Sequence, residues 1–265
     1  MPLNPYLSKP LIFIPKHGEP LQLFVLLHGE AAGPQQLFPL ADIIKQSFPQ
    51  ALVYLPYGFF CEDTSPERQD MPTSDTLTYH WIEQAGLTSA NYAARVRQAL
   101  PGLLAQIQQI QSQFGLSGQQ TALAGFSQGA TMALEASQMK FDVAGRVLAF
   151  SGIYASSPQE LSPATMLHFF QGENDKLVSA AEVEATLAHL ATLQGDATLD
   201  VASSIGHELH ESLLKQAIVR LKTCVPLRSW EAAFEMLKAA AQDNQAGQDQ
   251  DPEGLSPGCG DRTLH

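Results

Sequence analysis

At 265 residues, with 45% hydrophobic and 16% charged residues, the chain is long enough for one large domain with a substantial core. A formal net charge of −12 and an isoelectric point near 5.0 argue against nucleic acid or an anionic membrane as the main partner, because both would repel it. Three widely spaced cysteines, Cys61, Cys224 and Cys259, show no C-x-x-C spacing and read as reduced thiols.

The expected elements follow in chain order. Two prolines and the short apolar run Leu11 to Ile14 give no signal-peptide pattern, and no later run approaches a membrane span, so a cytoplasmic location is expected. LIFIP (11–15) and LQLFVLLH (21–28) read as strands, the second buried on both faces. Leu37, Leu40, Ile43, Ile44 and Phe48 recur at helical spacing, and ALVYLP (51–56) is a short buried strand. Residues 57–88 read as irregular and too long for a simple connector. A long amphipathic helix from Tyr92 follows, carrying Val96, Leu100, Leu103, Leu104, Ile107, Ile110 and Phe114, and Pro101 is expected to kink or divide it.

TALAGF (121–126) is the next strand and leads into a helix from about Ser127. Strands at 146–152, 166–172 and 197–203 alternate with helices at 179–193 and 210–223. That alternation, with unbroken apolar runs in the strands, predicts an α/β fold with a mainly parallel sheet covered on both faces. A last helix over 229–242 completes a single domain of residues 1–242, packing on it or offering a homodimer contact. Residues 243–265, rich in Gln, Asp, Gly and Pro, read as a disordered acidic tail.

Ser127 stands between Gly125 and Gly129 in GFSQG. A lone G-x-S-x-G arises by chance in about one chain in ten of this size, so its flanks must decide. Here a strand enters and a helix leaves, the turn on which a nucleophilic serine is exposed. The competing reading is a tight turn whose serine only caps the helix.

A serine hydroxyl needs a base to take its proton. His207 follows the strand at 197–203 on a loop before a helix, whereas His210 lies at the start of that helix, facing solvent. HELH falls one residue short of the zinc signature H-E-x-x-H, and no third ligand is evident, so no metal or cofactor is expected. The orienting acid comes from the loop after 166–172, with Asp175 preferred to Glu173. The order Ser127, Asp175, His207 places each residue at a strand-to-helix junction. LLHGE ends an early strand, so the amide of Glu30 can join that of Gln128 in an oxyanion hole. His28 reads as a structural residue holding that loop, with a second base as the alternative.

Together LLHG, GFSQG, GEND and IGH resemble the α/β-hydrolase branch of carboxylesterases, lysophospholipases and acyl-protein thioesterases, with bacterial YpfH-type esterases the nearest likeness, over roughly residues 20–225. The resemblance implies an α/β-hydrolase fold and a cofactor-free serine hydrolase with Ser127 as nucleophile, His207 as base, Asp175 as orienter, and the Glu30 and Gln128 amides as oxyanion donors. It also implies that Trp81 lines the acyl pocket; a core aromatic is the alternative. Relatives usually carry a glycine soon after the His-Gly pair, where this chain has Ala31. The expected substrate is a small, short-acyl ester or thioester. The alternatives are a long-acyl thioesterase or lysophospholipase, and a ligand-binding relative without catalysis.

Overall fold

The structure, a computed structural model, describes residues 9–63 and 77–223. Strands β1 (Leu11–Phe13), β2 (Gln22–Leu27) and β3 (Ala51–Leu55) begin the main sheet, while β4 (Phe60–Asp63) and β5 (Leu77–His80) form a separate antiparallel pair. The main sheet continues with β6 (Thr121–Phe126), β7 (Arg146–Phe150), β8 (Met166–Gly172) and β9 (Ala197–Ala202). Among the described residues its seven strands run in the order β1-β3-β2-β6-β7-β8-β9, parallel except for β1. Side chains alternate across a strand, so a strand covered on both sides must be apolar throughout. In β2, Leu23, Val25 and Leu27 enter one core and Phe24 and Leu26 the other.

Helices α1 (Phe38–Ser47), α2 (Ser89–Phe114), α3 (Gln128–Met139), α4 (Ala180–Thr192) and α5 (Glu211–Thr223) supply the covering layers. The core that receives Leu23 also takes Val96, Leu103 and Ile107 of α2, Met132 of α3 and Leu190 of α4. Leu40 and Ile44 of α1 and Leu213 and Leu214 of α5 fill the opposite core. This is the α/β-hydrolase arrangement.

Helix ends follow local chemistry. Thr88 starts α2 with a capping box, its N–H donating to Asn91 Oδ1 at 2.8 Å, and Gly115 ends it in the left-handed region at φ 64°. Ser179 and Glu182 cap α4 in the same reciprocal way. The helix runs unbroken through Pro101, which does not divide it. Pro101 lies on the exposed side, where the missing N–H leaves a carbonyl that water can satisfy.

The expected irregular stretch 57–88 holds ordered structure at both ends, in β4 and β5. These strands were hidden because each has only four residues. The stretch 64–76, the helix expected at 229–242 and the tail at 243–265 lie outside the described residues. No helix among the described residues is long and apolar enough to cross a membrane.

His168 sits in the middle of β8 with no exposure, its Nδ1 2.8 Å from Thr198 Oγ1. Burial pulls its imidazole down from 6.5 to about 4, and the charges of Arg146 and Arg220 add to that against the opposing pull of Asp200. The unfolded chain therefore binds this proton more readily than the fold between pH 4 and 6.5. Stability is full above that window and falls as pH drops through it, by on the order of 3 kcal/mol in all. In His168→Gln, the loss of unfolding free energy between pH 7 and pH 5 is expected to shrink by about 2 kcal/mol relative to wild type in urea titrations. An equally steep dependence in the variant would assign the acid sensitivity elsewhere.

Candidate active site

The sequence TALAGF-S-QGA builds a sharp turn at the end of β6. Ser127 adopts φ 53°, ψ −118°, a backbone region unfavourable for a residue with a side chain. Its N–H is held by the Phe150 carbonyl at 2.9 Å, and its own carbonyl accepts from Ala130 and Thr131 as α3 begins. The flanking glycines are there for close approach. A Cβ on Gly125 would lie 2.2 Å from the Gly129 carbonyl oxygen, and one on Gly129 would lie 2.1 Å from that of Leu27. Strand, turn and helix therefore pack at backbone distance.

Asp175 and His207 come from the loops after β8 and β9, neighbours in the sheet. The loops are joined directly: Asn174 N–H donates to the Ile205 carbonyl at 2.8 Å, and Ser204 N–H to Glu173 Oε2 at 3.2 Å. Glu173 thus ties the loops together, while Asp175 faces the histidine. Asp175 Oδ2 lies 2.8 Å from His207 Nδ1, and its Oδ1 accepts from the N–H groups of Leu177 at 2.9 Å and Val178 at 3.0 Å. Burial pushes this carboxyl up, but the Val178 amide, the His207 ring and the Leu177 amide outweigh it and hold the group below the usual carboxylate range. An ionised Asp175 accepts the Nδ1 proton, which leaves the lone pair of neutral His207 on Nε2.

The His207 ring packs 4.8 Å from that of Phe126, the residue before Ser127. His210 turns away to Ser212 Oγ at 2.8 Å, so the two histidines of HELH do not converge.

A cavity of about 280 Å³ opens at Ser127, lined by Glu30, Tyr92, Gln128, Thr131, Ile153 and Val178 among others. The larger hollow of about 1040 Å³ beside β1 shares none of these residues and is remote from the serine. Burial raises the Tyr92 phenol above its usual range, opposed by a hydrogen bond with Thr131 and reinforced by the charges of Glu30 and Glu135, so the cavity presents a neutral hydroxyl.

The loop carrying Glu30 is held on several sides. Gly29 N–H donates to Gln36 Oε1 at 2.7 Å. Ala31 takes φ 51°, the left-handed conformation a glycine would adopt there more readily. His28 is fully buried, its Nδ1 2.8 Å from the Gly29 carbonyl and its Nε2 accepting from Gly58 N–H at 2.9 Å. Burial lowers this imidazole to about 4, with the Gly29 bond opposing and the neighbouring His80 assisting. A neutral ring protonated on Nδ1 satisfies both contacts.

Trp81 is not in the cavity wall. It is fully buried, stacked on His28 at a centroid distance of 5.0 Å, with Nε1–H donating to the His28 carbonyl at 2.8 Å. Of the two possibilities the sequence leaves open for Trp81, this burial agrees with a core aromatic, set behind the Glu30 loop. Tyr92 and Gln36 went unnoticed in the sequence. Tyr92 only marked the start of a helix, and Gln36 has no motif around it.

Residues 12–225 match the Phospholipase/Carboxylesterase family, and the chain belongs to that family. Over 222 residues it is 31% identical to esterase YpfH of Escherichia coli (strain K12), covering 84% of this chain and 91% of that protein. Esterase PE8 superposes with a TM-score of 0.69 at 24% identity, covering 81% of this chain and 98% of that one. The Bacillus cereus carboxylesterase gives 0.63 at 16% identity, over 81% and 93%. At these identities the superpositions speak for the fold alone.

Proposed function

We propose that the chain is a serine carboxylesterase acting on short-acyl esters or thioesters through an acyl-enzyme on Ser127. The observation that carries this reading is the 2.8 Å pair of Asp175 and His207, set against Phe126 beside the strained Ser127 turn. Family membership and the likeness to an esterase over most of its length support it.

In the first half-reaction Ser127 Oγ bonds to the carbonyl carbon and its proton passes to His207 Nε2. The carbonyl oxygen takes up the negative charge and accepts from the amides of Glu30 and Gln128. Asp175 stabilises the imidazolium. Collapse expels the alcohol or thiol, which leaves with the proton from His207. Water then attacks the acyl-enzyme, gives its proton to His207, and releases the acid as Ser127 recovers its hydrogen. Each oxyanion donor is worth about 10²–10³ in rate, and general base catalysis about 10²–10⁴.

A fluorophosphonate probe is expected to label Ser127 alone, as peptide mapping by mass spectrometry would reveal. Labelling elsewhere, or none, rejects the nucleophile. Acyl length is a second test. The cavity of about 280 Å³ is at the small end for ligand sites. Across a p-nitrophenyl ester series, kcat/KM is expected to peak at short chains, of about two to four carbons, and a rise toward long chains would favour the lysophospholipase or acyl-protein thioesterase reading.

A further inference from the structure

The last residue pair of β5 and the residue after it, Tyr79, His80 and Trp81, meet the Glu30 loop one after another. Tyr79 N–H donates to the Ala32 carbonyl at 2.8 Å, and Ala32 N–H returns a bond to Tyr79 at 3.3 Å. His80 is 4% exposed, with the carboxylates of Glu30 and Glu62 at 3.8 and 3.6 Å from its two ring nitrogens. Trp81 makes the most direct connection. Its indole N–H holds the His28 carbonyl, and its backbone N–H donates to Gln128 Oε1 at 2.8 Å. One residue therefore touches both segments, the loop after β2 and the start of α3, that carry the proposed oxyanion amides.

The consequence follows from peptide planarity. The Glu30 N–H and the Gly29 carbonyl belong to one rigid plane and point in opposite directions. His28 Nδ1–H fixes that carbonyl, and Gln36 fixes the Gly29 N–H in the plane before it. His28 is itself held by Gly58 through Nε2 and by Trp81 through its carbonyl and the ring stack. On the other side, the bond from Trp81 anchors the side chain of Gln128, whose backbone amide is the second donor. We infer that Trp81 is a positioning residue that, through His28 and the Gln128 side chain, fixes the direction and spacing of the two oxyanion amides. This rests on the serine-esterase reading above. Trp81 touches no reacting atom; it sets where two donors aim.

An oxyanion hole acts mainly on the transition state, so slackening it lowers kcat more than it raises KM. Trp81→Phe keeps an aromatic ring against His28 but removes the indole donor. It is expected to lower kcat about 10–100-fold with KM within about twofold, and to weaken a boronic-acid transition-state analogue by a similar factor. Gln128→Met, which loses the other bond, is expected to behave alike, and the double variant to lose less than the product of the two. It also serves should Trp81→Phe fold poorly.

Phe59, which packs edge-on against Trp81 at 5.8 Å, provides the packing control. Phe59→Leu is expected to keep kcat within about threefold. Unchanged kcat in both Trp81→Phe and Gln128→Met overturns the inference, as does an equal loss in Phe59→Leu, which would reduce Trp81 to a packing residue. Failure of the underlying reading is separate: wild-type protein would then take up no fluorophosphonate at Ser127.

Discussion

Ser127→Ala is expected to lose ester hydrolysis, with kcat/KM for p-nitrophenyl acetate down by at least about 10⁴. The size of the effect follows from what remains. The amides, the cavity and His207 persist in the variant, but no atom is left to form the acyl bond, so turnover falls to what oriented water achieves. The fold is expected to be unchanged. Alanine has the same backbone demands at φ 53° as serine, and the bonds from Ser127 N–H to Phe150 and from Ala130 and Thr131 to its carbonyl are all main-chain. Circular dichroism and the thermal midpoint check this half of the result. A variant that hydrolyses the ester at more than about a hundredth of the wild-type rate moves the nucleophile away from Ser127.

Asp175→Asn is the second large effect, expected at about 10³–10⁴ in kcat with little change in KM. The two carboxylate oxygens have different duties. Oδ1 accepts from two backbone N–H groups, and only Oδ2 faces His207. In the variant the amide oxygen must stay with the two backbone donors, because an NH₂ there would oppose them. The NH₂ therefore faces His207 Nδ1 and can only donate to it. That forces the histidine proton onto Nε2, the atom that in the proposed mechanism accepts the proton from Ser127. Isosteric replacement thus yields the wrong tautomer without moving a heavy atom. Pre-steady-state kinetics should show acylation slowed by this factor, together with fluorophosphonate labelling of Ser127. Labelling at wild-type speed would mean that Asp175 has no part in proton transfer.

The Ser127 turn was legible in the sequence because its causes are local. Gly125 and Gly129 are demanded by backbone contacts within a few residues, and the strand and helix around Ser127 are single uninterrupted patterns. Asp175 and His207 could be nominated because a parallel sheet sends the loops after successive strands to one edge. The rest depended on contacts between distant segments. No spacing tells that Trp81 lies under His28, 53 residues away, or that Tyr79 pairs with Ala32. Strand β5 is short, its partner β4 is separated from it by a long stretch, and neither has an alternation to read. Pro101 departs for the opposite reason: the local rule by which proline can divide a helix is sound, but α2 continues through it, leaving one unmade bond on its wet side.

Ser127 carries a further consequence. A side chain held at φ 53°, ψ −118° raises the energy of the native state by about 1–3 kcal/mol, an appreciable part of what keeps a domain folded. Glycine, which visits that conformation freely, would relax the turn. The fold would thus be sturdier in principle with a glycine at position 127 than with any residue that carries a side chain there, alanine included.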